Sequence, residues 1–277
     1  MAGARRYFRA ALSASGLLVI ILMIVFADHL SNHDPTAGMN LRSRFVPPAL
    51  MEGGSWEHPM GTDNLGRDIF VRVLYGGRVS LRVALIASTL SSVLGIAVGL
   101  MSGYLRGWID RLMLRLTDMW VSFPFLVLAL AVIAAVGSTP TVLITLLTLA
   151  GWVYPARVTR AQTLRLRELD YVRASVAIGA APLAIMWRHI LPNVLPVNLV
   201  LWTLSVGTLV VIEGSLSFIG LGVSPPTPSW GNMLADGRIY MQDAWWLSVF
   251  PGAALMLTVL CINALGDALQ KLGENGR

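Results

Sequence analysis

Side chains that could carry out chemistry are few in this sequence. It contains four histidines, one cysteine (Cys261) and one lysine (Lys271). A phosphate-binding loop of the form G-x-x-x-x-G-K-[ST] uses its lysine to reach the phosphates, and no such motif precedes Lys271. A nucleophile would need a nearby histidine base, but three histidines lie before residue 60 and His189 is expected on the cytoplasmic side. We therefore predict neither ATP hydrolysis by this chain nor a membrane hydrolase.

One histidine pair and one acid are the remaining candidates. His29 and His33 stand four residues apart, beside Asp28 and Asp34, and ligands with that spacing share one face of a helix. Polar residues are expected there in any case, because an apolar run ends at residue 27. Glu213 lies at the end of another apolar run, where we expect it to bond to a neighbour rather than to act alone. No metal site and no bound cofactor are predicted.

Composition places the chain in a membrane. Of its 277 residues, 55% are hydrophobic and 13% are charged, and the mean hydropathy is +0.67. Soluble domains carry roughly 25% charged residues. The formal charge of +6 comes from arginines scattered between apolar runs, which is typical of a topology signal and not of nucleic-acid binding. We predict an all-α polytopic membrane protein in contact with lipid.

Runs without charge predict six transmembrane helices. The first run resembles a signal peptide, but no convincing cleavage site follows Ala27, so a retained helix is favoured. The third run is too long for one helix and is broken by a turn at 137–140. The predicted spans lie at 10–27, 83–105, either side of that turn within 119–156, within 190–212, and at 244–266.

Loop charges predict the orientation. With the amino terminus inside, the inner segments (1–9, 106–118, 157–189 and 267–277) carry 14 basic residues, and the outer segments (28–82 and 213–243) carry 7. This bias follows the positive-inside rule. Both termini and the 157–192 region are therefore expected on the cytoplasmic side of a prokaryotic cytoplasmic membrane.

The stretch RASVAIGAAPLAIMWRHILPN (173–193) interrupts the apolar runs. After a basic helix at 157–169, a short helix is predicted at 170–178, with Tyr171, Ala174, Ser175 and Ile178 on one face. Gly179 should break it and Pro182 should begin another. In that helix an apolar stripe is expected, formed by Leu183, Met186, Trp187 and Ile190. Pro192 and Pro196 should then bend or end the segment. Such a bracket either fits a groove of another protein or lies on lipid headgroups.

The spacing within this stretch resembles the EAA loop of ABC importer permeases. Ala174, Gly179, Leu191 and Pro192 match that pattern, whereas Arg173, Ser175 and His189 depart from it. RHILPN is similar to the dipeptide/oligopeptide branch, which also includes nickel importers. GTDNLGRDIFVRVLYGGRVSL (61–81) and EGSLSFIGLGVSPPTPSWGNML (213–234) resemble the same branch, in its second-permease type.

The resemblance implies a type I ABC importer permease fold and a non-catalytic channel subunit for short peptides. Its implied partners are a second homologous permease, two ABC ATPases that bind ATP and Mg, and an extracytoplasmic solute-binding protein. The ATPases would dock on the 170–192 loop, at Tyr171, Arg173, Ala174, Ser175, Ala177, Gly179, Ala180, Pro182, Leu191 and Pro192. The extracytoplasmic family segment would comprise Gly61, Thr62, Asp63, Gly66, Arg67 and Asp68.

The remaining expectations concern domains, outer segments and alternatives. Three parts are predicted: the amino terminus with the first helix (1–28), an outer segment with an interfacial helix (29–80), and the permease domain (80–270). Asp63 or Asn64 is expected to cap that interfacial helix. Prolines at 225–228 should keep 222–245 from forming a regular helix, with Trp230, Trp245 and Trp246 at the membrane interface. A nickel or other small-solute permease, and a stand-alone secondary transporter, remain alternatives.

Overall fold

The computed structural model describes residues 2–30 and 40–275, with side chains at 13–30, 40 and 42–271. Within these ranges the backbone is helical apart from loops and one isolated bridge between Thr62 and Asp68. A π turn at Met186–Ile190 joins α9 to α10. The helices are α1 (Ala2–Val25), α2 (Ala27–Leu30), α3 (Ile69–Leu105), α4 (Gly107–Ser122), α5 (Phe125–Val136), α6 (Pro140–Gly151), α7 (Val153–Leu166), α8 (Asp170–Ala177), α9 (Pro182–Ile185), α10 (Leu191–Phe218), α11 (Trp230–Gly237) and α12 (Trp246–Asn275).

Four helical stretches are long and apolar enough to cross a membrane. They are Ile69–Leu105, Pro140–Leu166, Pro182–Phe218 and Trp246–Lys271. A fifth crossing results if α4 and α5, which meet at 81°, count as one broken span. The apolar part of α1, Ser13–Val25, is shorter than these. Among the described residues the helices thus give four or five candidate spans, and the sequence predicted six.

The predicted turn at 137–140 is confirmed, but the span before it is not straight. Gly137 has φ +83°, and the Thr139 side chain caps α6 by accepting from Val142 N. Before α5, the chain bends at Phe123, whose backbone is extended. The next residue is Pro124, which disfavours helical backbone at the residue before it and cannot donate an N–H. The predicted span before the turn is therefore α5 with the last turn of α4, and the rest of α4 occupies the predicted inner segment 106–118.

Helix α3 is one continuous rod of 37 residues. The interfacial helix expected near residue 69 is the first part of this rod. The expected caps, Asp63 and Asn64, are wrong: Asp68 caps α3 by accepting from Val71 N at 3.0 Å. Near the same end, Arg78 donates to the carbonyls of Ile24 (2.7 Å) and Val25 (2.8 Å). It thereby binds the carboxyl end of α1, where a cation is favourable.

Close packing of α3 against α7 depends on three glycines spaced four apart. A Cβ on Gly95, Gly99 or Gly103 would lie 2.5–2.9 Å from atoms of α7. The two backbones therefore approach as small residues allow in membrane helices. Nearer the amino end of α3, the apolar core forms with α6 and α10. Its fully buried members include Ala84, Leu143, Leu147 and Val210.

Helix α10 begins at Leu191 and continues past both prolines, so the expectation that they end the segment is wrong. Leu191 N donates to Met186 O, the five-residue spacing of the preceding π turn. Pro192 lies in the first turn of α10, where its missing N–H leaves no unpaired donor. Pro196 lies inside the helix, and neighbouring helices make such interruptions tolerable in membrane spans.

Candidate functional site

The 170–192 loop folds as two short helices joined at a glycine. Helix α8 ends at Ala177, and Gly179 follows with φ +81°, a conformation that glycine adopts without steric cost. Pro182 occupies the first turn of α9. The predicted helix, break and restart are confirmed, with the first helix one residue shorter than expected. The functional role of the residues stays a prediction.

One side of the loop is anchored to the end of α3. Val172 and Ile185 are buried, and they belong to an apolar cluster with Tyr104. Met186, Ile190 and Val194 complete that cluster. The predicted stripe is therefore half wrong, because Leu183 and Trp187 are exposed. All four side chains follow Gly179, so the split lies within α9 and the π turn, where Met186 and Ile190 join the cluster around Tyr104 and the other two do not.

The other side of the loop is open. Its tip is unobstructed, because a Cβ on Gly179 would meet nothing within 4 Å. Ile178 beside it is 85% exposed. Among the predicted docking residues, Ser175, Ala180 and Leu191 are half-buried. The exposed ones are Tyr171, Arg173, Ala174, Ala177, Gly179, Pro182 and Pro192.

His189, which departs from the family pattern, joins the two halves of the loop. Its ring lies 6.1 Å from the ring of Tyr171. Its Nε2 is 3.5 Å from Ser175 Oγ, which also donates to Tyr171 O. These contacts hold α8 against the π turn, so three residues of the loop form one packed unit.

Arg173 is paired within its own chain. Its Nη2 donates to Glu168 Oε2 at 2.6 Å, and Arg106 Nη2 donates to Glu168 Oε1 at 3.1 Å. Hydrogen bonding to Arg173 lowers the pKa of Glu168, with the charge of Arg106 acting in the same direction. Glu168 was not among the predicted site residues. The signal was an acid five residues before the position where the family pattern places one.

Further polar contacts join α7 to α3 and α4. Arg167 Nη1 donates to Tyr104 O at 2.6 Å, and its guanidinium lies 5.4 Å from the Tyr104 ring. Arg160 forms two bonds with the Asp110 carboxylate, at 2.6 and 2.7 Å. Such bidentate pairs fix geometry as well as charge. The helix that leads into the 170–192 loop is therefore fixed to α3 and α4.

The family segment at 61–68 is a buried turn at the opposite end of α3. Asp63 accepts from Leu65 N, Arg67 N and Arg67 Nε at 2.6–2.9 Å. Thr62 O accepts from Trp246 Nε1 at 3.1 Å, which fixes the turn to α12. Gly61 and Gly66 both have φ +78°. Burial and saturated hydrogen bonding agree with the packing and capping role expected for this segment, with Asp68 as the cap.

The loop after α10 differs from its prediction. Residues 230–237 form α11, so 222–245 does contain a regular helix, beginning just beyond the prolines. Trp230 is 1% exposed and donates its indole N–H to Val73 O at 2.8 Å. Trp246 is also buried. Of the three tryptophans expected at the membrane interface, Trp245 alone is exposed.

The other chemical candidates form no recognisable centre. Glu213 is buried between helices, and its Oε1 accepts from Ser217 Oγ at 2.7 Å, the neighbour bond expected of it. His29 packs edge-on against Phe26, and His33 lies outside the described residues. In the described ranges no three His, Cys, Asp or Glu side chains are grouped to hold a metal ion.

A cleft of about 290 Å³ opens beside α10. Its polar lining consists of hydroxyl groups, from Ser92, Tyr154, Ser205 and Thr208, and the remainder is apolar or glycine. The cleft is lined by residues of α3, α6, α7 and α10. None of its lining residues is charged.

Comparison with known proteins gives consistent matches. Residues 95–275 match the family described as binding-protein-dependent transport system inner membrane component. A Brucella suis protein, provisionally named a peptide transport system permease, is 42% identical over 96% of this chain and 86% of its own length. The glutathione transport system permease GsiD of Shigella flexneri is 40% identical over 96% of this chain and 87% of its own length.

Among solved structures, the fold is similar to that of the MetNI methionine ABC transporter in an inward-facing conformation. The TM-score is 0.56 at 22% identity, over 71% of this chain and 93% of that one. Similarity at this identity concerns the fold alone. With the family match covering more than half of the sequence, the chain belongs to the binding-protein-dependent inner membrane components, the non-catalytic permease subunits of ABC importers.

Proposed function

We propose that this chain forms half of the transmembrane channel of an importer for short peptides. The observation that carries the proposal is the 170–192 loop, which is anchored to α3 on one side and exposed on the other. Its open tip at Gly179 fits a groove on an ATPase subunit. The names of the peptide and glutathione permeases among its relatives support a peptide substrate.

The remainder of the assembly follows the family pattern. A second, homologous permease completes the channel, two ABC ATPases bind ATP and Mg, and a solute-binding protein delivers the peptide. The chain crosses a prokaryotic cytoplasmic membrane six times, with α1 and the bent α4–α5 pair each counted once and both termini in the cytoplasm. The uncharged, hydroxyl-bearing cleft beside α10 suits a neutral peptide backbone better than a metal ion.

Coupling is mechanical in this proposal. Nucleotide-driven closure of the ATPases moves their grooves, and the docked 170–192 loops transmit the movement to α7, α3 and α10. Switching a two-state channel from about 1:99 to about 99:1 needs roughly 5.5 kcal/mol of differential binding. Gly179 and its neighbours must therefore fit closely against the ATPase.

A bulky side chain at the tip should uncouple the transporter. We expect Gly179→Trp and Ala174→Trp to abolish ATP-driven peptide uptake in proteoliposomes, while the chain remains inserted in the membrane. Gly220→Trp is the matched control, because Gly220 also has positive φ (+86°) and open surroundings. The control should retain uptake.

ATPase co-purification distinguishes this mechanism from a stand-alone transporter. The Gly179→Trp chain should lose its ATPase subunits during purification, whereas the Gly220→Trp chain should keep them. Normal uptake and normal ATPase retention in Gly179→Trp would contradict the proposed docking. Uptake that survives ATP depletion under a clamped ion gradient would indicate a secondary transporter.

A further inference from the structure

An apolar knob, residues 47–58, projects from the segment that precedes α3. Leu50 is 90% exposed, Trp56 is 76% exposed and Met51 is 41% exposed. Large apolar side chains clustered on a surface mark contact with protein or membrane. Nothing in the described part of the chain covers them.

Backbone hydrogen bonds give the knob a fixed shape. Met51 N donates to Pro48 O and Gly54 N donates to Met51 O, both at 2.9 Å. Ala49 N donates to Pro59 O at 3.3 Å, which closes the base of the loop. The apolar side chains are thus presented on a preformed turn, so a partner need not order the loop on binding.

The base of the knob is attached to the residue that caps the α3 rod. His58 Nδ1 lies 2.8 Å from Asp68 Oδ2, and Asp68 is the cap of α3. Helix α3 has 37 residues, a length of about 55 Å at 1.5 Å per residue. The hydrocarbon core of a bilayer is about 30 Å thick.

The position of charges along α3 separates the knob from the membrane. Arg72, Arg78 and Arg82 lie in its first fourteen residues, and residues 83–105 carry no charge. If the charge-free part spans the bilayer, fourteen residues extend about 20 Å beyond the hydrocarbon. Headgroups account for only about 5–8 Å of that distance. On that placement the start of α3, which holds the base of the knob through Asp68, lies above the headgroups, and we take a protein as the partner of the knob.

The charge of the knob indicates the chemistry of the partner's binding surface. Glu52 and Glu57 are exposed beside the apolar side chains, and neither forms an ion pair within the described residues. A complementary surface has an apolar socket bordered by basic side chains. In such a complex the buried Trp56 side chain would supply much of the affinity, and the opposite charges would raise the association rate.

We propose that the apolar knob docks the extracytoplasmic solute-binding protein onto this permease. The inference rests on the proposed function, which supplies both the orientation of the chain and the existence of this partner. Trp56 and Leu50 enter the socket of the solute-binding protein. Glu52 and Glu57 meet its basic border.

Binding to nanodiscs tests the proposal. The probe is the purified solute-binding protein of the same transporter, and its affinity is measured for the whole complex. Replacing the anchors together, Leu50→Ser with Trp56→Ser, should weaken binding about 30-fold or more, the effect of losing one interface hot spot. Trp108→Ser is the control, because Trp108 is 67% exposed beyond the opposite end of α3, and it should leave the affinity unchanged.

A charge variant tests the border separately. Glu52→Gln with Glu57→Gln should slow association and weaken its dependence on salt, because steering by opposite charges is screened by ions and is lost when the charges are removed. An association rate equal to that of the wild type, at low salt, would contradict the basic border and with it the proposed partner surface.

Two further outcomes would overturn the proposal in different ways. Unchanged affinity in the anchor variant would exclude the knob as the docking surface. Brominated lipids would then identify a membrane contact if they quenched a fluorophore attached at residue 56 in a Cys261→Ser background. A wild-type complex that bound its solute-binding protein in no nucleotide state would overturn the proposed function as well.

Discussion

At the scale of single residues, the most informative finding is that an arginine stands at the acid position of the family pattern and pairs with an acid five residues earlier. Arg173 stands where the family pattern has an acid, and Glu168 supplies a carboxylate from the same chain at 2.6 Å. Glu168 also binds Arg106, next to the end of α3. The carboxylate thus connects α8 to the corner between α3 and α4. We infer that Glu168 positions the 170–192 loop.

Substitution of Glu168 tests this positioning role. We expect Glu168→Gln to reduce the number of peptides transported per ATP hydrolysed, with little change in the unfolding temperature, because exposed ion pairs contribute little to stability. Reversing the pair, Glu168→Arg with Arg173→Glu, should restore part of the ratio. An unchanged transport-to-ATPase ratio in Glu168→Gln would rule the role out. Arg115→Gln, on a different helix, serves as the control.

The pH dependence of the pair has a definite sign. In the folded protein the pKa of Glu168 is lowered by Arg173. The stabilising contribution of the Glu168–Arg173 pair is therefore fully present above the ordinary glutamate pKa of about 4.3. The contribution is lost only as the pH falls through the lowered pKa. Wild-type coupling should therefore not change between pH 6 and 8 through this group, and transport assays across that range check it.

At the scale of helices, the glycine stripe of α3 determines how the 170–192 loop is carried. Gly95, Gly99 and Gly103 let α7 approach closely, and α7 leads directly into the loop. Two ion pairs, Asp110–Arg160 and Asp118–Arg157, hold α4 to the same helix. Helices α3, α4 and α7 therefore form a support whose position sets that of the loop.

Enlarging the middle glycine should disturb this support. A Cβ at Gly99 would lie 2.5 Å from Ala156 O, and relief requires the two backbones to separate. We expect Gly99→Leu to destabilise the protein by about 1–3 kcal/mol or more, the usual range for overpacking, with loss of uptake. Ala97→Leu is the control, because Ala97 is exposed on the same helix. Thermal unfolding in detergent measures both, and equal unfolding temperatures would contradict the close packing.

At the scale of the whole molecule, α3 connects the two surfaces proposed to bind partners. Asp68 caps its first turn and holds His58 of the knob. At the other end Tyr104 O accepts from Arg167, just before the 170–192 loop. A rod of about 55 Å thus carries the proposed receptor contact at one end and the proposed ATPase contact at the other.

Opposite exposure of these two ends is testable with single cysteines. In a Cys261→Ser background, Trp56→Cys should react with a membrane-impermeant maleimide in intact spheroplasts. Trp187→Cys, which replaces a comparably exposed tryptophan (64% against 76%), should react only after lysis. Labelling of both residues before lysis, or the reverse pattern, would contradict the proposed orientation.

The sequence by itself determined the class of protein and the local form of the 170–192 loop. Long apolar runs require helices in lipid because backbone groups cannot bond to water there. Gly179 and Pro182 act within a few residues of themselves, so the break and the restart were predictable. The turn at Gly137 and Pro140 was predictable for the same reason.

Only the tertiary structure decided which side chains are buried and which are paired. Trp230 lies in the core because Val73, 157 residues away, offers its carbonyl, and a sequence pattern carries no information about such a partner. Leu183 and Trp187 are exposed while Met186 and Ile190 of the same predicted stripe pack against Tyr104, because the position of α3 selects the buried face. Likewise, the pairing of Glu168 with both Arg106 and Arg173 depends on helices meeting in space, as does the continuity of α3 through the expected interfacial segment.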